Sequence, residues 1–305
     1  MTRNCMFGII CMILIVCSCS SVRKAIEYNP TLLSKHPHAL RNGFLIKSSY
    51  MSTNLRHNGK SMYIYLPPTY YKSMSNAYPV IYFLHGANGN ESSWIEKGDI
   101  LQTIDSLYSS GSIRECIYVF PNMNVYHNSS GGLLSREINS VDAYFGLNGS
   151  VESTFIHDVV NFIDTHYKTL TDKNHRAICG LSIGGLQCIY ISANNPEHFG
   201  HIGLFSPLIY PPLNIGRHSS VYKNLEKKLS VQFNSQPPNY MIMIGEDDIY
   251  LKGAYIYSSY LYDQGYRICY QETSGGHTWN NWKDYSIIFL KSLWPPVDTI
   301  ASEDI

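Results

Sequence analysis

The sequence predicts an α/β fold, a doubly wound, mostly parallel sheet with helices on both faces. Three observations predict it. Several runs of five or six residues are continuously apolar rather than alternating, as strands covered on both faces are. Segments with helical spacing separate those runs, so strand and helix alternate along the chain. One strand-to-helix junction, Gly180-Leu181-Ser182-Ile183-Gly184, is a tight turn flanked by glycines, with an apolar run before it and a helical pattern after it.

Taken in order, Gly43 to Tyr50 and Ser61 to Leu66 read as strands, the second stopped by Pro67-Pro68. Pro79 to Leu84 is a continuous apolar run and reads as a central strand that ends at His85-Gly86. Asp99 to Tyr108 has helical spacing, with Ile100, Leu101, Ile104 and Leu107 on one side. Cys116 to Phe120 is the next buried strand, closed by Pro121-Asn122. His127 to Asn148 is polar and reads as an excursion loop. Val151 to Tyr167 is a long amphipathic helix with Phe155, Val159, Phe162 and Ile163 inward. Arg176 to Cys179 and the helix after the Ser182 turn follow, then a short strand, His201 to Phe205. Pro207 to Pro238 is irregular apart from a helix around Tyr222 to Leu229. Tyr240 to Ile244 is a buried strand, Ala254 to Gln264 a helix, Tyr266 to Gln271 a strand and Asn281 to Leu293 the closing helix.

No Gly-, Pro- or Ser-rich linker, charge block or repeat divides the 305 residues, so residues 43–295 are expected to form one domain. The formal net charge is zero and no basic stripe is present, which leaves a nucleic-acid partner without electrostatic support. The N-terminus reads as an export signal. Arg3 precedes an uncharged stretch from Cys5 to Cys17. As a helix that stretch spans about 20 Å, short of the ~30 Å hydrocarbon core of a membrane. Val16-Cys17-Ser18-Cys19 resembles a bacterial lipobox and points to Cys19 as the lipidated residue, with Cys17 the poorer choice after bulky Val16. The expectation is a lipoprotein-type signal peptide over 1–18, a tether over 19–42 and a C-terminal tail over 296–305. The protein would then be periplasmic or displayed on a bacterial cell surface, attached to the membrane through the N-terminal lipid alone. Of the remaining cysteines, Cys116, Cys179 and Cys269 fall in strand-like runs and Cys188 in a helix. None is paired at metal-ligand spacing, so no metal site is expected, and burial as small hydrophobic residues is.

The Ser182 turn has the context of a nucleophile elbow, in which glycines let neighbouring backbone pass close to a residue at strained φ/ψ. A hydroxyl is a poor nucleophile near neutral pH. It needs a base within hydrogen-bond reach, and the base needs an orienting carboxylate. Both follow Ser182. Ile244-Gly245-Glu246-Asp247-Asp248-Ile249 is a buried strand that breaks at Gly245 into acidic residues, at the sheet edge where open α/β sheets place their sites. Gly275-Gly276-His277 is a glycine-rich loop after the next strand, and His277 is the one histidine of twelve that follows those acids. Asp248 is chosen as the acid by its offset from Gly245, with Asp247 and Glu246 left as alternatives. Two donors are needed for an oxyanion. One is the N–H of Ile183, at the start of a helix, where the macrodipole helps. The other is assigned to Ala87 in the loop His85-Gly86-Ala87-Asn88-Gly89-Asn90, and His85 to holding that loop by a side-chain hydrogen bond.

Four stretches carry a family resemblance: YPVIYFLHGANGNESSW (Tyr78 to Trp94), HRAICGLSIGG (His175 to Gly185), NPEHFGHIGLFSP (Asn195 to Pro207) and GGHTWNNW (Gly275 to Trp282). With IGEDDIY they span roughly residues 45 to 295 and resemble the esterase family that includes esterase D, feruloyl esterases, tributyrin-type esterases and mycolyltransferases. That resemblance implies an α/β-hydrolase fold and cofactor-independent ester hydrolysis through Ser182, Asp248 and His277, with Ala87 and Ile183 as oxyanion donors. The run of three acidic residues and the long polar loop at 127–148 depart from the family pattern.

The leading expectation is an exported serine esterase acting on an acyl or aromatic ester, such as a feruloyl or acetyl ester derived from polysaccharide. Trp94, Tyr250 and Trp279 lie close in sequence to the site elements and are read as lining the acyl or sugar cleft, with core packing as the competing role. Acyl transfer to a sugar or lipid hydroxyl, and a non-catalytic glycan-binding lipoprotein, are the alternatives.

Overall fold

A computed structural model describes residues 43–53, 59–72, 75–125, 147–209, 219–235 and 238–294. The expected signal peptide, the lipidation at Cys19, the tether, most of the loop at 127–148 and the tail lie outside the described residues.

Among the described residues the strands are β1 (Phe44–Tyr50), β2 (Lys60–Leu66), β3 (Val80–Leu84), β4 (Ile117–Pro121), β5 (Arg176–Leu181), β6 (His201–Phe205), β7 (Asn239–Gly245) and β8 (Cys269–Thr273). They form one sheet in the order β1-β2-β4-β3-β5-β6-β7-β8. β1 and β2 pair antiparallel, as do β2 and β4; every other pair is parallel. The helices are α1 (Ser93–Glu96), α2 (Ile100–Ser109), α3 (Ser150–Phe155), α4 (Asn161–His166), α5 (Ile183–Asn194), α6 (Leu225–Ser235), α7 (Leu251–Asp263) and α8 (Trp279–Ser292). A π-turn, Ile156–Val160, joins α3 to α4.

The sheet is apolar on both faces because successive strand residues point to opposite sides. Val80, Tyr82 and Leu84 of β3, Ile178 of β5 and Ile242 and Ile244 of β7 face one layer, which includes Phe155, Leu186, Tyr190 and Tyr257 from α3, α5 and α7. Ile81 and Phe83 of β3, Cys179 of β5 and Met243 of β7 face the other, against Ile104 of α2 and Tyr285 and Phe289 of α8. Two separate cores result, and the uninterrupted apolar runs of the central strands feed both.

The structure differs from the sequence reading at several places. The helix expected around Tyr222 to Leu229 begins at Leu225. Asn224, at φ 57°, breaks the chain direction just before it. Tyr222 packs edge-on against Tyr190, with ring centroids 4.8 Å apart, and its hydroxyl accepts from the Gly149 N–H. The last strand starts at Cys269 rather than Tyr266, since Tyr266 stacks on Phe233 instead of joining the ladder. Cys269 is exposed on that edge strand, against the expectation of burial, whereas Cys116, Cys179 and Cys188 are buried; all four are free thiols. Helix α1 has no counterpart in the sequence reading.

Candidate active site

Ser182 stands between β5 and α5 with φ 55° and ψ −118°. That region of backbone space costs a side-chain-bearing residue about 1–3 kcal/mol, so its surroundings must hold it there. They do. The Ser182 N–H donates to the Phe205 carbonyl at 2.9 Å, and the Ser182 carbonyl accepts from Leu186 at 3.2 Å and Leu208 at 2.9 Å. The flanking glycines are required by close approach. A Cβ on Gly184 would lie 2.6 Å from the His85 carbonyl oxygen and 2.7 Å from that of Leu84. A Cβ on Gly180 would lie 2.6 Å from the Gly184 backbone. The elbow thus presses against the end of β3, where the oxyanion loop begins.

The acid and the histidine come from two loops stitched together at the ends of β7 and β8. Glu246 N–H donates to the Thr273 carbonyl at 2.8 Å and Asp247 N–H to the Gly275 carbonyl at 2.9 Å. Gly245 is needed at this crossing, because a Cβ there would sit 2.2 Å from the Gly275 carbonyl oxygen. The loops deliver Asp248 and His277 to each other and to Ser182. His277 Nδ1 lies 2.9 Å from Asp248 Oδ2 and 3.1 Å from Oδ1, and His277 Nε2 lies 3.0 Å from Ser182 Oγ. Of the three acidic residues in the turn, Asp248 faces the imidazole, while Glu246 and Asp247 are exposed.

Burial alone would raise the Asp248 carboxyl, whose side chain is fully shielded from solvent. Hydrogen bonds from His277 and from the Tyr250 N–H, the latter at 2.9 Å, nevertheless hold it below the usual carboxylate range. Asp248 therefore stays ionised and accepts from Nδ1–H. That leaves the Nε2 lone pair facing the Ser182 hydroxyl. The imidazole is held edge-on between Tyr250, at 5.0 Å between ring centroids, and Trp282, at 4.9 Å.

His85 is not available as a base. Its Nε2 accepts from the Met123 N–H at 2.9 Å and its Nδ1–H donates to the Gly86 carbonyl at 2.8 Å. Burial pushes its pKa down to about 4, so the ring is a neutral strut. The loop it supports turns through Ala87 and Asn88, closed by the Gly89 N–H on the Gly86 carbonyl at 3.1 Å. Ala87 is a central residue of that turn, and its N–H is not spent on the closing bond. Asn88, at φ 57°, takes the left-handed position. Asn124 donates to the Gly89 carbonyl at 2.8 Å and fastens the loop from the β4 side. Ile183 is the first residue of α5, where an N–H has no intrahelical acceptor.

A cavity of about 280 Å³ opens over Ser182 and His277. Ala87 and Gly86 line it on the loop side, and Tyr250, Trp279 and Trp282 form an aromatic wall. Tyr250 and Trp279 line this cleft. Trp94 does not. It is 1% exposed, its indole N–H donates to the Leu84 carbonyl at 3.1 Å, and its ring packs edge-on against Phe83 and Trp279. It is core that backs the cleft wall. Trp282 and Lys97 line the cavity and were missed. Trp282 was legible, three residues after Trp279 on the helix that follows His277. Lys97 gave no signal, since a lone lysine reads as a solvated surface charge.

The chain is similar to known proteins. The family described as "Putative esterase" matches residues 54–287. An endo-1,4-beta-xylanase/feruloyl esterase of Xylanibacter ruminicola is 32% identical over 157 residues, 50% of this chain and 20% of that protein, so the match spans a fifth of that relative's length. Among solved structures, a ferulic acid esterase from Anaeromyces mucronatus in complex with ferulic acid superposes with a TM-score of 0.68 at 22% identity, covering 85% of this chain and 93% of the other. An S-formylglutathione hydrolase from Staphylococcus aureus superposes with a TM-score of 0.62 at 14% identity, covering 83% and 98%. At these identities the structural likeness is one of fold.

Proposed function

The chain belongs to the putative esterase family and has the α/β-hydrolase fold, and from that premise we propose that it is a serine carboxylic-ester hydrolase working through an acyl-enzyme on Ser182. One observation carries the reading: a single imidazole lies 3.0 Å from the Ser182 hydroxyl and 2.9 Å from a buried carboxylate on its other side.

In this mechanism His277 Nε2 takes the Ser182 proton as Oγ bonds to the ester carbonyl carbon. The carbonyl oxygen becomes an oxyanion and is received by the N–H groups of Ile183 and Ala87, with the α5 dipole adding favourable potential. Asp248 stabilises the imidazolium and fixes the ring's tautomer. When the tetrahedral species collapses, the bond to the alcohol oxygen breaks and His277 Nε2–H protonates the leaving alkoxide. Water then gives a proton to the same nitrogen and attacks the acyl carbon. Collapse of the second tetrahedral species releases the carboxylic acid and returns the proton to Ser182.

For the acyl group we favour a planar aromatic one of the feruloyl type. The wall of Tyr250, Trp279 and Trp282 supports this, because flat rings pack against such a surface. So does the name of the Xylanibacter ruminicola relative, although it covers half of this chain. Purified protein should hydrolyse methyl ferulate with a kcat/KM at least about tenfold above that for a short aliphatic methyl ester such as methyl butyrate. Equal or reversed preference would set the feruloyl assignment aside and leave the esterase mechanism in place.

A further inference from the structure

We propose that the cleft contains an anion subsite formed by Lys97, and that the natural ester carries a carboxylate. The inference rests on the ester-hydrolase reading and adds the charge of the substrate to it. Lys97 lines the same cavity as Ser182 and His277. Among the described residues its ammonium has no ion-pair or hydrogen-bond partner. The acidic residue two positions on, Asp99, pairs with Lys283 at 2.8 Å.

The backbone that presents Lys97 is fixed. Its N–H donates to the Ser93 carbonyl at 3.0 Å and so caps α1. Gly98 packs directly on the aromatic wall: a Cβ there would lie 2.5 Å from the Trp94 carbonyl oxygen and 3.0 Å from the Trp279 ring. Lys97, the residue before it, lines the cleft together with Trp279. Among the described residues no acidic side chain lines the cavity, and the carboxylate beneath it, Asp248, is shielded and engaged by His277. Among the described residues Lys97, itself exposed, is therefore the cationic side chain of the cleft lining, and the potential it adds there is positive. A cation in an aromatic-lined cleft, with no carboxylate partner among the described residues, fits an ester that has an apolar body and an anionic end.

The carboxylate belongs either to the acyl group or to the alcohol, and two substrate pairs separate these sources. Mono-4-nitrophenyl succinate differs from 4-nitrophenyl butyrate by a carboxylate in place of the terminal methyl of the acyl chain. 4-Acetoxybenzoate differs from its methyl ester by a carboxylate on the alcohol side. The quantity read is the ratio of kcat/KM for the anionic ester to that for its neutral partner, which cancels general damage from a substitution. In one of the pairs, Lys97→Met should lower this ratio about tenfold and Lys97→Glu lower it further. The loss should fall mainly on KM, Lys97→Arg should keep most of the preference, and about 0.5 M salt should erode it in the wild type. Ratios that are the same in the wild type and Lys97→Glu for both pairs overturn the proposal. A wild type that hydrolyses none of the four esters removes the esterase reading, and the subsite with it.

Discussion

Replacing Ser182 by alanine leaves a folded protein that turns over 4-nitrophenyl acetate about 10⁴-fold or more slowly than the wild type. The size follows from what is lost. Without Oγ no acyl-enzyme forms, and only binding and the oxyanion donors remain to assist water. The fold survives because alanine carries the same Cβ as serine, so the strain at φ 55° is unchanged. The backbone bonds that hold the elbow, to Phe205, Leu186 and Leu208, do not involve the hydroxyl. The change should therefore appear in kcat on an enzyme with an unaltered denaturation midpoint. Wild-type turnover in the variant would show that another group is the nucleophile.

Asp248→Asn should lower kcat by about 10⁴, whereas Asp247→Asn should change it within about twofold. The two residues are neighbours in sequence but differ in placement. Asp248 is buried against Nδ1 of His277, and Asp247 is exposed. An asparagine at 248 can still accept from the Tyr250 N–H through Oδ1, which turns its amide NH₂ toward His277. The imidazole then presents its lone pair at Nδ1 and its proton at Nε2, the wrong tautomer to receive the serine proton. Acid acts on the same group. Because the Asp248 pKa is depressed in the folded protein, its contribution to stability is present above the unfolded value of about 3.9 and is lost as pH falls through the folded value. If Asp247→Asn proves the more damaging change, the carboxylate in this mechanism has been misassigned.

The sequence was most legible where local chemistry and the global fold demand the same residues. β3, β5 and β7 read as continuous apolar runs because both faces of the sheet are covered, and the elbow read clearly because backbone passes within contact distance of Gly180 and Gly184. The choice among three adjacent acidic residues was less legible. It depends on the crossing of the two loops, through the Asp247 N–H on the Gly275 carbonyl, which no local pattern encodes. Trp94 was misjudged as a cleft residue because proximity in sequence does not say which face of α1 carries the indole; its N–H turns inward to Leu84. The shift of β8 has a similar origin. Tyr266 and Ile268 are apolar because they pack against the core from a loop.

The central claim is that His277 activates Ser182, and reaction with a fluorophosphonate followed by peptide mass mapping tests it most directly. The account predicts a single adduct on Ser182 in the wild type, none on Ser182→Ala, and slow labelling of His277→Ala, in which the hydroxyl is present without its base. An unlabelled wild type, or an adduct that persists on Ser182→Ala, would contradict it.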